Sequence, residues 1–340
     1  MSSKQQDPFF IVGNSRSGTT LLSRILKNHS FIHVLNETHF FEEFSSQIHS
    51  FKELNDDQLC KLINTMITIQ RKDYYRKSEY EEYPDEAENI LKQYAQVEHQ
   101  NFETLNNIFF THEALRLGKK RAGDQTPRHV LYIDEIFTIY PEAKVIHMIR
   151  DPRAVLFSQK RKWLSGYRNK QPLFEVIRTF FNYHPFTMTI LWCKSVNAGL
   201  SAEKNYGEQR IKKIYFEQFV DKPEFYIKEI CQFLGENYEN EMLDVTVELS
   251  ATENLEGKKG VVKDISEQWK KRLKNGEVFI CQKIAGNLME KLGYIPSINK
   301  TNWFQVVLYI LWLPLHLGIA FLLNLGRMGN PIKFIIKRLA

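Results

Sequence analysis

The feature that most constrains the fold of this 340-residue chain is a short stretch close to its N-terminus. Four apolar residues at positions 9–12 predict a buried strand, a polar turn follows at 13–18, and a helical pattern begins at Thr19. A strand, a glycine-containing turn and a helix in this order form a cradle in which backbone N–H groups and the positive end of the helix face an anion. The stretch therefore predicts an α/β domain with an anion site at its first turn.

The spacing within this turn imitates the phosphate-binding loop of P-loop NTPases, with one departure. Thr19 occupies the place of the lysine that normally precedes the Ser/Thr, and the cation stands three residues earlier, as Arg16. A planar guanidinium suits the oxygens of a phosphate or a sulfate. We therefore predict that the whole turn binds an anionic group, through Asn14, Ser15, Arg16, Ser17, Gly18, Thr19 and Thr20.

Charge and cysteine content limit the classes of protein that remain. The net charge of +6 fits an anionic ligand or an anionic membrane surface, but without a basic stripe it does not indicate a nucleic-acid partner. The 4 cysteines lie far apart and form no C-x-x-C pair, which favours reduced thiols and argues against structural zinc. The polar residues before the first strand show no signal-peptide pattern. We expect a cytoplasmic protein.

Strands alternate with helices along most of the chain. Strand patterns at 31–36, 144–150 and 211–216 are separated by helical patterns, and this order predicts a three-layer α/β domain of P-loop type with a central parallel sheet. In such a domain ligands bind at the carboxyl ends of the strands. Residues 39–118 read as a helical insertion, interpreted as a lid that shapes an acceptor pocket, with a purely scaffolding role as the alternative.

A second anion site is predicted where the strand at 144–150 ends. Arg150 closes this strand and Ser158 follows it by eight residues, a little over two helical turns, so both lie on roughly the same face. An arginine and a hydroxyl in this arrangement can bind a second phosphate, separate from the one in the cradle. The pair indicates a ligand with two phosphate ends, whereas the Arg-Asp-Pro-Arg run on its own is a common helix start.

Glu37 is the candidate general base. It stands at the end of the second predicted strand, and if that strand neighbours the first, its carboxylate opens beside the cradle and can accept a proton from a hydroxyl. An exposed loop acid is the alternative from position alone. His29, His33 and His39 flank the same region, so one of them is an alternative base.

Together these residues resemble the sulfotransferases that use 3′-phosphoadenosine 5′-phosphosulfate (PAPS), closest to the tyrosylprotein-type and bacterial branch. The 5′-phosphosulfate loop of that family reads Arg-Ser-Gly-Thr-Thr-Leu, as residues 16–21 do here. Its 3′-phosphate motif matches Arg150, Asp151, Arg153 and Ser158, and its base glutamate stands 21 residues after the loop arginine, which is the position of Glu37. The resemblance implies PAPS as donor, transfer of a sulfonate, catalysis by Glu37 and Arg16, and no metal.

Two positions modify what the resemblance implies. Where tyrosylprotein-type enzymes have a lysine that stabilises the transferring sulfonate, this chain has Gln125, which carries no charge, so that role would fall to Arg16 or another cation. Lys259 lies in a basic run that matches a loop closing over the donor in cytosolic members, with an exposed basic turn as the alternative.

The C-terminal segment differs in kind from the rest. Residues 303–325 carry no formal charge and are long enough to span a bilayer, although Pro314 interrupts them, and a basic, apolar tail follows. A span would place the basic tail across the membrane, against the positive-inside tendency. We therefore predict a sulfotransferase domain at 1–298 and a membrane-associating tail at 299–340 that lies in the interface or forms a Pro-broken hairpin. A true span and a soluble helical pair are the alternatives.

The acceptor is predicted from location alone. An apolar tail suggests a sterol, a lipid or a glycan held near a membrane, whereas the match of Glu37 suggests a phenol or a peptide. Two other functions compete with sulfonate transfer. One is a P-loop kinase or NTPase, and the other is a non-catalytic, membrane-tethered relative that binds a nucleotide.

Overall fold

A parallel sheet organises the fold. The computed structural model describes residues 7–43, 51–72, 82–168, 170–245, 266–298 and 300–325. The strands of these residues are β1 Phe9–Gly13, β2 Ile32–Leu35, β3 Arg121–Asp124, β4 Lys144–Ile149 and β5 Ile211–Tyr215. They pair in parallel in the order β2-β3-β1-β4-β5, and helices connect them. The predicted α/β class with a central parallel sheet is confirmed.

The helices surround this sheet. Before β3 they are α1 Thr19–Lys27, α2 Phe40–Glu43, α3 Asp56–Lys72, α4 Pro84–Ala95 and α5 Phe102–Arg116. Between β3 and β5 they are α6 Ile133–Ile139, α7 Pro152–Lys160, α8 Lys162–Arg168, α9 Leu173–Phe181 and α10 Pro185–Tyr206. After β5 they are α11 Phe216–Asp221, α12 Pro223–Leu234, α13 Trp269–Arg272, α14 Asn275–Lys291 and α15 Trp303–Asn324. Short 3₁₀ turns lie at Phe51–Glu53, Pro127–Tyr132 and Asn240–Leu243.

The order of the strands corrects one expectation. β2 does not neighbour β1, because β3 lies between them: Asp124 of β3 pairs with Phe10 of β1 on one side and with Leu35 of β2 on the other. The expectation that Glu37 opens beside the cradle depended on β2 being the neighbour of β1, and this condition is wrong. The position of Glu37 relative to the cradle depends on β3.

Alternate residues of β1 face two different cores, which is why all five are buried. Phe10 and Val12 pack with apolar residues of α3, α4 and α5. Phe9 and Ile11 pack on the opposite face with apolar residues of α1 and α12. Helices thus cover both faces of the sheet, as predicted for three layers.

The helical insertion forms part of the first of these cores. Phe109 and Phe110 of α5 are buried and pack against Phe40, and Phe110 also packs against Phe10 of the sheet. The insertion is therefore built into one face of the sheet, and its role as a lid over the acceptor stays a prediction.

The apolar C-terminal segment forms α15 as one continuous helix with Pro314 inside it. The predicted Pro-broken hairpin is wrong, because a proline removes one backbone hydrogen bond and can kink a helix without ending it. Among the described residues, α15 is the helix that is long and apolar enough to cross a membrane, by length and composition alone.

Candidate active site

The turn between β1 and α1 presents the N-terminus of the helix. Gly18 precedes α1 with a φ of 98°, in the left-handed region that favours glycine. The Ser17 N–H donates to the Asn14 carbonyl oxygen at 3.1 Å and closes the turn, and Asn14 Nδ2 donates to the Ser15 carbonyl oxygen at 2.9 Å. Within the described part of the chain, no side chain caps α1 and its first turn holds no acid. An anion is the group that matches these N–H donors.

Two glycines let this turn pack closely against its neighbours. A Cβ atom on Gly18 would lie 2.3 Å from the ring of Phe216, and one on Gly13 would lie 2.4 Å from the carbonyl oxygen of Met148. Any other residue would push the cradle away from β4 and α11. The close packing therefore requires glycine at both positions.

Arg16 connects the cradle to the second predicted anion site. Its φ of 76° is uncommon for a residue other than glycine. Its Nε donates to Ser158 Oγ at 2.8 Å, and its carbonyl oxygen accepts from Arg150 Nη1 at 3.1 Å. Backbone strain of this kind costs about 1–3 kcal/mol and persists where surrounding contacts impose it. The structure thus brings together three residues that the sequence assigned to two separate sites.

Arg150 is a buried cation, and Arg16 beside it is half-buried. The Arg150 guanidinium lies 4.2 Å from the centre of the Phe216 ring. Burial lowers the pKa of Arg150 to about 10, opposed by the charge of Glu217 and reinforced by that of Arg16. Burial also lowers the pKa of Arg16, opposed by the charge of Glu37. Both side chains stay charged at neutral pH, and a bound anion would offset their repulsion and the cost of burying them.

The remaining cradle residues differ in exposure. Ser17 is fully buried, and its hydroxyl makes no hydrogen bond within the described residues. Thr19 is buried too, and its Oγ1 accepts from Gln125 Nε2 at 3.2 Å, whereas Thr20 is exposed. A buried hydroxyl without a partner is costly, so the Ser17 side chain fits a turn shaped for a hydrogen-bonding ligand.

Arg153 has a different task from Arg150. Its Nη2 donates to Asp151 Oδ2 at 2.6 Å, its Nη1 donates to the Ile295 carbonyl oxygen at 2.9 Å, and its guanidinium lies 4.2 Å from the Trp269 ring. Asp151 caps α7, since its Oδ1 accepts from the Arg153 N–H at 2.8 Å. Arg153 therefore ties the C-terminal part of the domain to α7.

Hydrogen bonds on both sides fix the loop that carries Glu37. The Asn36 N–H donates to Gln70 Oε1 of α3 at 2.8 Å. The Thr38 N–H donates to Thr126 Oγ1 at 2.9 Å. The loop is thus held by the helical insertion on one side and by the segment after β3 on the other.

Asp124, at the end of β3, is the centre of the contacts that join the Glu37 loop to the segment after β3. Its Oδ2 accepts from the hydroxyls of Thr38 and Thr126, the latter at 3.1 Å, and its Oδ1 lies 2.8 Å from His129 Nδ1. All four side chains are buried. β3 therefore supplies a buried polar network that positions the neighbouring Glu37 loop.

Glu37 itself is half exposed and ionised at neutral pH. Burial by the surrounding protein favours a higher pKa for its carboxyl. The hydrogen bond and the charge of His39, 3.4 Å away, act in the opposite direction. The charges of Lys162 and Arg128 act in the same direction as His39, so the pKa of Glu37 lies below its ordinary value. A carboxylate in this state can accept a proton.

Lys162, the first residue of α8, is a candidate site residue that the sequence did not reveal. Its side chain is exposed, yet the surrounding protein lowers the pKa of its amino group to about 8. The charge of Glu37 opposes this lowering. The charges of Arg16, Arg128 and Arg178 add to the lowering. Lys162 belongs to no motif, so only the fold could place its charge beside those of Glu37 and Arg16.

The other candidate residues are placed as follows. Lys259 lies outside the described residues. His29 is buried and hydrogen-bonds a loop carbonyl oxygen at 2.9 Å, and burial lowers the pKa of His33 to about 4. Of the three histidines, His39 is the one for which the described residues show a contact with Glu37.

One group of described side chains has the spacing of metal ligands, but an arginine explains it. Glu86, His112 and Glu113 place ligand atoms within 4.8 Å of one another. Arg71 Nη2 lies 2.6 Å from a Glu86 oxygen and 2.5 Å from a Glu113 oxygen. The arginine supplies the positive charge at this place, so the group is an ion-pair network within the helical insertion.

The fold and these contacts define an α/β domain with a P-loop-like turn, a candidate anion site in which an arginine takes the place of lysine. A family model described as the sulfotransferase family matches residues 8–240. Because this match covers more than half of the chain, the chain belongs to the sulfotransferase family. The resemblance to sulfotransferases, stated from the sequence, is confirmed.

Individual relatives agree with this assignment. A putative protein-tyrosine sulfotransferase of Caenorhabditis briggsae is 30% identical over 125 residues, which are 36% of this chain and 40% of that protein. The nodulation protein NoeE of Sinorhizobium fredii is 23% identical over 311 residues, or 85% of this chain and 66% of that protein. The chain thus spans less than two thirds of either curated relative.

A solved structure shows a similar fold. The sulfotransferase domain from the curacin biosynthetic pathway has a TM-score of 0.50 and 18% sequence identity, over 83% of this chain and 98% of that domain. At this identity the likeness concerns the fold alone.

Proposed function

We propose that this protein transfers a sulfonate from PAPS to a hydroxyl or amine of an acceptor held at a membrane, either a sterol, a lipid or a glycan. The observation that carries the proposal is Arg16, whose strained backbone and side chain connect the cradle to both Ser158 and Arg150. A ligand with anionic groups at two ends matches this paired arrangement.

The donor side of the site consists of the turn at 14–20 together with Arg150 and Ser158. The turn offers backbone N–H groups and Arg16 to the 5′-phosphosulfate, while Arg150 and Ser158 hold the 3′-phosphate. The bound donor supplies the sulfonate group. Arg16 lies at the junction of the two ends, where its charge can stabilise negative charge that develops on the transferring group.

The acceptor side consists of Glu37, His39 and Lys162. Glu37, kept ionised by its basic neighbours, takes the proton of the acceptor hydroxyl or amine. Lys162 supplies a positive charge that interacts with the charges of Glu37 and Arg16. It is the candidate to replace the charge that Gln125 lacks.

Location supports the choice of a membrane acceptor. The charge of Arg178, on α9, acts on Lys162, and α9 is bonded to the apolar helix α15. The acceptor side thus adjoins the most apolar part of the described surface. A peptide phenol is the competing acceptor, since relatives of this chain are named protein-tyrosine sulfotransferases.

Purified protein should be incubated with sulfur-labelled PAPS in parallel reactions that contain extracted lipids, peptides or soluble sugars. We expect label in the lipid fraction. Arg16→Ala should abolish donor binding, measured by calorimetry, and Glu37→Gln should spare binding but stop transfer. Arg24→Ala, in the last turn of α1, and Glu88→Gln, on the exposed face of α4, are the matched controls.

Four outcomes would contradict parts of the proposal. Full transfer by Glu37→Gln would remove it as the base. Label confined to peptides or soluble sugars would overturn the membrane acceptor. Binding of ATP with magnesium in preference to PAPS would favour a kinase or NTPase, and donor binding without transfer to any acceptor would favour a non-catalytic relative.

A further inference from the structure

The helix α15 is attached to the domain by polar residues on one face. Gln305 Oε1 accepts from the N–H of Gly276, at the start of α14, at 3.1 Å. One turn further on, Tyr309 Oη donates to Glu277 Oε1, also at 3.1 Å. The first half of the helix is therefore fixed to α14.

The same face is attached at the far end of the helix. The rings of His316 and His184 lie 4.8 Å apart, and both residues are buried. Asn324 Oδ1 accepts from Arg178 Nη1 at 2.9 Å, and its Nδ2 donates to Asn182 Oδ1 at 2.7 Å. The four attached residues follow one another at separations close to whole helical turns. α15 is therefore bound to the domain along its length.

The opposite face of α15 is apolar and exposed. Val306 and His316 are the residues of this helix that are buried, whereas large apolar side chains point outward along its whole length. The outward side chains are Trp303, Phe304, Val307, Leu308, Ile310, Leu311, Trp312, Leu315, Leu317, Phe321 and Leu322. An exposed apolar surface that follows a whole helix is typical of an interaction site for a membrane or another protein.

The helix α9 extends this surface. Leu173, Phe174, Ile177 and Phe180 are exposed, and their spacing places them on one face of α9. The inner face of α9 carries Arg178, which bonds to α15. We name the exposed apolar residues of α9 and α15 together the apolar platform.

Attachment along the whole of α15 does not suit a helix that crosses a bilayer. Its partners would enter the hydrocarbon with it, among them Glu277, which is fully buried and paired with Lys160 at 2.8 Å, and Arg178, paired with Glu175 at 2.8 Å. Charged groups at the centre of a membrane are costly. A helix that keeps these bonds lies along the domain, with its apolar face turned outward.

The charge of the surrounding sequence indicates what covers the platform. From Leu292 to Ala340 the chain holds no Asp or Glu, whereas Lys300 and Arg327 flank α15 and further basic residues follow. Cations at both ends of an apolar helix match anionic lipid headgroups. Trp303 and Trp312 have the amphipathic rings that favour the boundary between headgroups and acyl chains.

We propose that the apolar platform inserts into one leaflet of an anionic phospholipid bilayer, with α15 parallel to the membrane plane and α9 beside it. This surface requires no donor and no acceptor, so its test is independent of the proposed function.

The full chain should be floated with vesicles of phosphatidylcholine alone and with vesicles that also contain phosphatidylserine, in the absence of donor. We expect binding to the anionic vesicles. Leu311→Glu and Phe174→Glu should each lower the fraction bound about tenfold, because each places a charge where an apolar side chain enters the leaflet. Phe225→Glu, at an equally exposed position on α12, should bind as the unchanged chain does.

The effect of Phe174→Glu decides between the two membrane arrangements. A helix that crosses the bilayer does not need α9, so undiminished binding by this variant would overturn the proposal. Donor binding and thermal unfolding of each variant show whether it is folded. If Leu311→Glu instead converts a dimer into a monomer in sedimentation and leaves vesicle binding unchanged, the platform is an interface between two copies of the chain.

Labelling both ends of α15 tests its direction. Lys300→Cys and Leu325→Cys variants, bound to preformed vesicles, should each take up an impermeant maleimide from outside, measured above the unsubstituted chain. Labelling at position 325 that appears only after detergent is added would show that the helix spans the membrane and would overturn the in-plane arrangement.

Discussion

The donor side and the acceptor side of the site are built in different ways. On the donor side, direct hydrogen bonds join Arg16 to Ser158 and Arg150, and two close-packed glycines fix the turn. On the acceptor side, Glu37 and Lys162 influence each other through charge, and a network at the end of β3 holds the Glu37 loop. The proposed donor side is thus fixed by direct contacts, whereas the proposed acceptor side takes its properties from distant parts of the chain.

Among substitutions that test the difference between the two sides, the largest effect is expected at Gly18, on the donor side. Gly18→Ala places a Cβ atom 2.3 Å from the Phe216 ring at a positive φ, so we expect a loss of about 2–4 kcal/mol in the free energy of unfolding. Donor affinity should fall with it. Gly235→Ala is the matched control, since its φ is also positive but no atom lies within 4 Å of its Cβ. Equal losses in chemical denaturation would show that the Phe216 contact is unimportant.

A smaller effect is expected from Arg150→Lys, which keeps the charge but loses the fork that reaches Arg16 and covers Phe216. We expect affinity for PAPS to fall about 100-fold, and affinity for adenosine 5′-phosphosulfate, which has no 3′-phosphate, to change little. Arg153→Lys should lower the melting temperature and leave donor affinity intact. A parallel loss for both ligands with Arg150→Lys would remove Arg150 from the 3′-phosphate.

On the acceptor side, Thr126→Val removes the acceptor of the Thr38 N–H and one hydrogen bond to Asp124. We expect stability to fall by about 1–3 kcal/mol and kcat to fall about tenfold, with donor affinity unchanged. Thr138→Val, which loses one exposed bond within α6, is the control. If donor affinity fell in step with kcat, the two sides would not be independent.

The smallest effect concerns pH. The charge of Lys162 is present below its pKa of about 8 and is lost as the pH rises through that value. At saturating donor, we expect the transfer rate of the native chain to decline a few-fold from about pH 7 to about pH 9, and Lys162→Arg to decline less because arginine stays charged. Lys170→Arg should follow the native profile. Identical profiles for all three chains would exclude a contribution from the Lys162 charge.

Most of the fold could be predicted because it depends on local patterns. The start of α1 and the strand before Arg150 follow from short runs of residues, and the structure has them where the sequence indicates. The order of the strands could not be predicted, because β3 enters between β1 and β2 from a point far along the chain. The continuity of α15 through Pro314 likewise depends on contacts that hold the helix on both sides of the proline.

The residues of the candidate site also differ in whether a local pattern marks them. The cradle and the Arg150–Ser158 pair lie within short motifs, so their residues could be named in advance, and their proposed roles await the experiments above. Lys162 could not be found, since nothing near it in the sequence marks its closeness to Glu37. Arg153 belongs to the motif, yet its side chain is committed to Asp151 and Trp269.

Strand β3 also sets the distance between β1 and β2. Neighbouring strands lie about 4.8 Å apart, so one interposed strand sets β1 and β2 about 10 Å from each other. That gap separates the ends of the strands that lead into the cradle and into the Glu37 loop. With the roles proposed for these two loops, the width of the sheet sets the distance between donor and base, so a change of acceptor should alter the walls of the gap and leave its two sides in place.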